Sequence, residues 1–258
     1  MNTKTEKNDI APTGTQTLVR GLAVIHAVAA GARDLMAIAT VVGTTRSTTH
    51  RLASCLVQER YLRFTSSAGY ALGPKLIELG FQAREDVSLS VVARPYLEQL
   101  AAHSNDTIHL AIRDANDVLY LDKIPGKQGL EMRSRVGHRM PLATTGVGKA
   151  LMLGLPEHEW KLLYQQYEKK NGAANWTVFR ARMREYTDDD YAFDLEDNEP
   201  SIRCVSAPIR DASHAIVAAI SISSTVPYMS DKRMQLLIPV VKQAATEISA
   251  ELGAARLV

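Results

Sequence analysis

The sequence predicts an α+β chain in two parts: a small helical module ending in a β-hairpin, then a larger antiparallel sheet with helices grouped around it. Three observations predict it. At 258 residues the chain exceeds one average domain, so two are the natural prior. Apolar residues recur at helical spacing through the first quarter and switch to a period of two from Ile108 onward. Charge divides the same way. Residues 15–76 carry seven Arg/Lys against two acids (+5), and residues 77–258 carry 21 against 24 (−3), in a chain of net charge +2. A basic small module joined to a mildly acidic larger one suits a DNA-binding head on a sensing body.

The first helix is read from Leu18, Leu22, Ile25 and Val28/Ala29, one helical face, with Gly31 placed to stop it. A second carries Leu35, Ile38, Ala39 and Val42 inward, with Gly43 in the turn and Thr44 or Thr45 capping a third. In the third, Thr48, Leu52, Cys55 and Leu56 are assigned to the inner face. Arg46, Ser47, His50 and Ser54 then point away, with Arg51 on the flank. This is the division a helix-turn-helix needs, since the N-terminal half of the outer face enters the major groove. Arg46 can fork onto a guanine or a phosphate. Ser47, Thr49 and His50 suit backbone contacts. Leu62 and Phe64, then Thr65-Ser66-Ser67-Ala68-Gly69, then Tyr70 and Leu72 read as a hairpin. Three helices and a hairpin make a winged helix, whose Arg63 and turn can touch the minor groove or phosphates. The plain alternative is a small helical domain with a solvated polar face, because Ser/Thr-rich helix starts are common caps.

Beyond the module, residues 75–85 and 91–103 read as helices. Alternating strands then follow at Ile108–Ile112, Val118–Ile124, Leu130–Ser134, Tyr191–Leu195, Val205–Ile209 and Ala215–Ser223. Helices are expected at Gly146–Leu153, Glu157–Tyr167, Phe179–Tyr186 and Met234–Leu252, with Pro239 kinking the last or marking its start. The domain boundaries are a disordered arm 1–14, a winged helix 15–74, a linker helix 75–90 that can assist dimerisation, and a sensing domain 91–258.

Thr145-Gly146-Val147-Gly148-Lys149-Ala150 superficially resembles a phosphate loop, but the Gly-x4-Gly-Lys-Ser/Thr spacing is absent and Ala150 stands where a magnesium-binding hydroxyl is needed. Free amides at that helix start can still hold a carboxylate. Ser221 and Ser223 share a strand face. With Asp194 and Cys204 they can line a small polar pocket or simply edge the core. Histidines 103, 109, 138, 158 and 214 follow no metal-ligand pattern and read as structural or exposed. Cys55 and Cys204, the only cysteines, form no disulfide framework, which points to a reducing cytoplasm. No stretch reaches the ~18 apolar residues of a membrane span, and the polar N-terminus lacks a signal core.

Three stretches together resemble the isocitrate-lyase-regulator (IclR) family of bacterial transcription factors, from Leu18 to Leu252. The first is Arg20-Gly21-Leu22 with Ser47 to Leu52 and Tyr70-Ala71-Leu72-Gly73. The second is Gly137 to Leu142 through Thr145 to Lys149. The third is Ile202 to Asp211 with Ile220 to Ser223. Within the family, Thr107-Ile108-His109-Leu110 and Val118 to Ile124 look most like the repressors of pectin and sugar-acid catabolism. The resemblance implies a winged helix and a GAF-like effector domain, dimers that can pair into tetramers, a palindromic operator in double-stranded DNA, and a small organic acid as effector. It implies no catalysis, cofactor, metal or membrane. The expected DNA contacts are Arg20, Thr45, Arg46, Ser47, Thr49, His50, Arg51, Arg63 and Ser66. The family's ligand pocket falls on Met132, Met140, Gly146, Val147, Asp194, Ile202, Cys204, Ser221 and Ser223. Gly146 and Val147 would offer amides to a carboxylate, Met132, Met140 and Ile202 an apolar wall, and the others the polar end.

Two departures stand out. Ser201 replaces the usual glycine before Ile202, so a loop needing positive φ is expected to be remodelled. The usual acidic pair after Asp194 is broken as Asp194-Leu195-Glu196-Asp197. The resulting reading is a cytoplasmic repressor of a catabolic operon, answering to a sugar acid or keto acid. The alternatives are a regulator answering to an aromatic acid, an enzyme on small acids, and a redox switch at Cys204. The enzyme needs a nucleophile–base pair, and the switch needs an exposed, low-pKa thiolate.

Overall fold

The computed structural model describes residues 14–128, 132–171 and 175–254. The chain divides into two compact units, one ending at Asp86 and the other beginning at Val87. The expected arm 1–14 lies, but for Gly14, outside the described residues.

The first unit holds α1 (Gln16–Ala29), α2 (Leu35–Val42), α3 (Arg46–Gln58), β1 (Leu62–Thr65), β2 (Gly69–Leu72) and α4 (Pro74–Asp86). Asp34 starts α2 by accepting hydrogen bonds from the amides of Met36 and Ala37, each at 2.9 Å. Gly43 ends it in the left-handed region at φ +68°, a conformation that costs glycine nothing. Thr45 caps α3 through the Thr48 amide at 3.3 Å. Val24, Ala27, Val28, Ile38, Ala53, Leu62 and Tyr70 form the core.

Two helices are turned from their expected phase. In α1 the buried side is Val24, Ala27 and Val28, while Leu18 and Leu22 are 64% and 48% exposed. In α3 it is Thr49 and Ala53; Cys55 is exposed and Thr48 only half-buried. One position on a helix is a rotation of about 100°, and a run of Ser, Thr and Cys offers little hydropathy contrast to set the angle. Thr49 is inexpensive to bury because its hydroxyl donates to the Thr45 carbonyl at 3.0 Å and bonds the Thr44 hydroxyl at 2.8 Å.

The helix read over 75–85 is α4, which ends at Asp86. The second unit opens with α5 (Leu89–Ser104) and continues through β3 (Thr107–Asp114), β4 (Asp117–Ile124), β5 (Arg139–Pro141), α6 (Gly146–Met152), α7 (Glu157–Asn171), α8 (Trp176–Asp189), β6 (Ala192–Leu195), β7 (Ile202–Arg210), β8 (Ile216–Thr225) and α9 (Asp231–Glu251). The six strands form one sheet in the order β5-β4-β3-β8-β7-β6, every pairing antiparallel. The helices α5 and α9 pack on it and on each other, and α6 packs across β6, β7 and β8. Of the strand expected at Leu130–Ser134, residues 130 and 131 lie outside the described residues and Met132 to Ser134 are not strand. The partner of β4 is instead Arg139–Pro141. The helix α9 starts at Asp231, capped by Ser230, and runs through Pro239. No helix among the described residues is long and apolar enough to cross a membrane.

Candidate nucleic-acid interface and ligand cavity

On α3, Arg46, His50 and Ser54 recur at every fourth residue, which stacks them along one exposed helix face. That face, the hairpin turn from Ser66 to Tyr70, and Arg33 to Met36 border an open groove of about 940 Å³. The hairpin is held at its base. Tyr70 and Arg33 exchange two hydrogen bonds, Tyr70 amide to Arg33 carbonyl at 2.8 Å and Arg33 Nη1 to Tyr70 carbonyl at 3.1 Å.

Of the nine residues expected to meet DNA, Arg46, His50 and Ser66 border this groove. Ser47 and Arg51 are exposed on α3 beyond it, and Arg20 is exposed on α1. Thr45 is exposed, but its hydroxyl is committed to the helix cap. Arg63 is exposed and alternates with Phe64, which puts it on the strand face away from the Phe64–Tyr70 ring pair. Thr49 is corrected: its 0% exposed side chain packs inward and cannot reach a phosphate. Arg33 was missed because the sequence places it in a loop with no periodicity to orient it.

In the second unit, cross-strand pairing builds two polar rows. Asp194 on β6 lies beside Cys204 on β7, Cys204 beside Ser223 on β8, and Ser223 beside Thr107 on β3. Next to this row, Ser206 pairs with Ser221, Ser221 with His109, and His109 with Lys123. The start of α6 is pressed onto these rows. A Cβ at Gly146 would stand 2.5 Å from Ser206 Oγ, 3.1 Å from Cys204 Cβ and 3.6 Å from Asp194 Cβ, so only glycine permits the approach. Thr145 caps α6 through the Gly148 amide at 3.1 Å. The amides of Gly146 and Val147 are among the first-turn donors that a helix leaves without internal partners.

A cavity of about 400 Å³ opens here, lined by Met132, Met140, Gly146, Val147, Asp194, Ile202, Cys204, Ser221 and Ser223. These are all nine residues assigned to the ligand from the sequence. The lining also includes His109, Tyr120, Arg133, Ser134, His138, Thr145, Asn198, Glu199 and Pro200, which were not assigned. His109 is the main omission. Its Nε2 lies 2.7 Å from the Ser134 hydroxyl, and its Nδ1 lies 3.3 and 3.4 Å from the hydroxyls of Ser223 and Ser221. Burial, helped by the Lys123 charge, pushes its pKa down to about 3, so it is neutral at pH 7. The Tyr120 ring packs against the imidazole at a tilt of 42°, with centroids 5.0 Å apart.

Asp194 Oδ1 accepts from the amides of Asp197 at 2.8 Å and Asn198 at 3.4 Å. Burial pushes its carboxyl up to about 6, against the pull of Lys149. The Cys204 thiol donates to Asp194 Oδ2 at 3.9 Å, and burial pushes its pKa up. Burial keeps the Cys204 thiol protonated, which disfavours a thiolate nucleophile or redox sensor, and the same burial makes His109 a poor proton acceptor. Among the described residues no cluster of His, Cys, Asp or Glu could hold a metal.

Lys149, 2% exposed, donates to the Phe193 carbonyl at 3.0 Å and to Asp197 at 2.5 Å. Its charge is spent on the protein itself, so this segment does not cradle phosphate. At Ser201 the positive φ that was expected to need glycine is taken by the serine. Ser201 adopts φ +65° itself, held by its amide on Glu196 at 3.1 Å and its carbonyl under the Val226 amide at 3.0 Å.

Comparison with known proteins matches the same two regions. Residues 17–66 match a family profile described as the IclR helix-turn-helix domain, and residues 81–250 one described as bacterial transcriptional regulator IclR C-terminal. The chain is 31% identical over 191 residues to the HTH-type transcriptional regulator KdgR of Escherichia coli, covering 72% of this chain and 73% of that one. It is 29% identical over 221 residues to XynR of the same organism, covering 84% of this chain and 88% of that protein. The solved structure of Thermotoga maritima IclR superposes with a TM-score of 0.60 at 27% identity, over 92% of this chain and 98% of that one.

Proposed function

The chain belongs to the IclR family of bacterial transcriptional regulators, and on that premise we propose that it represses a catabolic operon and is released by a small organic acid bound in the cavity of its second unit. It is a DNA-binding regulator rather than an enzyme, as its relatives are. One observation carries the finer reading. Serine hydroxyls, a neutral imidazole and a buried carboxyl converge on a cavity of about 400 Å³, in a unit separate from the helix-turn-helix. Such a cavity suits a small ligand with an apolar edge and several hydroxyl or carbonyl groups, a sugar acid or keto acid before an aromatic one. The carboxylate would meet the Gly146 and Val147 amides, and the polar end would meet Ser221, Ser223 and Asp194.

The rest of the reading follows the family. The winged helix of residues 15–74 docks α3 in the major groove of a palindromic operator. The linker of 75–90 joins two heads in a homodimer, which can pair into a tetramer, and 91–258 senses the acid in the cytoplasm. The acid shifts DNA affinity only by its differential affinity for the bound and released arrangements. The test is a thermal-shift screen of sugar acids, keto acids and hydroxybenzoates, followed by DNA release with any hit. A sugar or keto acid that raises the melting temperature and frees DNA supports the reading. A hydroxybenzoate hit moves it to the aromatic class, and no hit overturns the effector assignment.

A further inference from the structure

We propose that Arg33, in the turn between α1 and α2, acts with two hands: it pins the wing and clamps a DNA backbone phosphate. The proposal rests on the DNA-binding reading above.

The pinning is visible. The paired bonds between Arg33 and Tyr70 tie the wing to a turn 37 residues away. Gly69, at φ +72°, lies so close that a Cβ there would stand 2.1 Å from the Arg33 carbonyl oxygen. The wing therefore cannot tilt without breaking this seam.

The guanidinium has more capacity than the seam uses. It carries five N–H donors in a planar fork, and the Tyr70 carbonyl takes a bond from Nη1. Among the described residues no carboxylate forms an ion pair with Arg33. The adjacent Asp34 instead accepts the Met36 and Ala37 amides. Arg33 is exposed and borders the same groove as Arg46, His50 and Ser66. A guanidinium already oriented by one bond gives up little rotamer freedom on taking a second partner, and its geometry matches a phosphate. Arg33 is not on α3, the element that enters the major groove. Contacts from flanking turns fall on the sugar–phosphate backbone and position the head without reading sequence.

The test uses the full chain and two fluorescent duplexes, one from the region upstream of its own gene and one scrambled, titrated from about 50 to 200 mM salt. Arg33→Gln removes the charge, and its shorter amide stops short of the Nη1 position that bonds the Tyr70 carbonyl. It is expected to weaken both duplexes by the same factor, about tenfold at fixed salt. It also lowers the slope of log affinity against log salt by about 0.9 for each bound head. Arg33→Lys keeps the charge and should keep the slope. An unchanged slope in Arg33→Gln overturns the clamp, even with reduced affinity, because a mere strut for the wing would not move it. A loss confined to the upstream duplex overturns it too, since a base contact would then be at work. If Arg33→Gln melts early, both variants are titrated at a temperature where each is folded: a slope lower in Arg33→Gln than in Arg33→Lys supports the clamp, and equal slopes refute it. A wild-type chain with no salt-sensitive binding to either duplex would instead remove the DNA-binding premise.

Discussion

Replacing Gly146 by alanine drives a methyl group into the seam where α6 meets β7. The new Cβ would stand 2.5 Å from Ser206 Oγ and 3.1 Å from Cys204 Cβ, the first of these about 1 Å inside a comfortable contact. Overpacking of this kind costs about 1–3 kcal/mol. Ser206 offers a way to check the cause. Its hydroxyl is fully buried and has no hydrogen-bond partner among the described residues. Ser206→Ala alone should then be neutral or stabilising by about 1 kcal/mol, since it removes an unpaired buried hydroxyl. In the double variant the shortest clash is gone, and about 1–2 kcal/mol of the Gly146→Ala loss should return, the strength of coupling contacting residues show. Gly148→Ala is the control. Its Cβ would lie 2.2 Å from the Leu142 carbonyl oxygen, a backbone clash that Ser206→Ala cannot relieve. Both tryptophans, Trp160 and Trp176, lie in the second unit, so their fluorescence during urea unfolding reports on it. A Gly146→Ala chain as stable as the parent would refute the reasoning, as would a cycle additive within about 0.5 kcal/mol. The same variant displaces the start of α6 from the cavity. It should weaken acid binding while DNA binding persists.

Other substitutions probe the two sites and the fold separately. Arg46→Ala and Arg51→Ala should each weaken operator binding with folding intact. The larger loss, about 1–3 kcal/mol, should come from Arg46, which borders the groove, and an unaltered gel-shift titration at fixed salt would contradict this. Ser221→Ala combined with Ser223→Ala should abolish the acid response and spare DNA affinity; a double variant still released by the acid would rule out the proposed pocket. His109 has a folded pKa of about 3 against an unfolded value of 6.5. The unfolded chain thus binds the proton first, and stability falls as pH drops through that window. His109→Gln should flatten that acid limb of the melting temperature, and an unchanged limb would disprove it. Ser201→Gly should raise stability by about 1 kcal/mol, because φ +65° strains a side chain but not glycine. A denaturation midpoint no higher than the parent's would argue against strain.

Local signals were legible where a single residue decides the backbone. Thr44 or Thr45 announced the start of α3 and Gly43 the turn that ends α2, because capping and turn chemistry act within four residues. Helix phase was less legible. Leu18 and Leu22 made a plausible inner stripe of α1, yet Val24, Ala27 and Val28 took the core. Hydropathy says that a face is buried; the neighbouring helices choose which one. Thr49 moved inward for the same reason.

The serines at 221 and 223 show where sequence reasoning stops. Alternation along β8 already placed both hydroxyls on one face. Nothing in linear order set Asp194 beside Cys204, Cys204 beside Ser223, or His109 beside Ser221, because register between strands depends on how whole hydrophobic faces close on the core. The family resemblance pointed to the nine lining residues without their geometry and passed over His109, whose role exists only once three strands are aligned. The chain's own letters therefore determined most of its elements, its two-part organisation and its family, all of which rest on short-range periodicity and motif order, but not the edge strand beside β4. Tertiary packing decided which faces are hidden, which arginines border the groove, and that a buried imidazole stands neutral among hydroxyls, since desolvation and cross-strand contact arise only in the folded molecule.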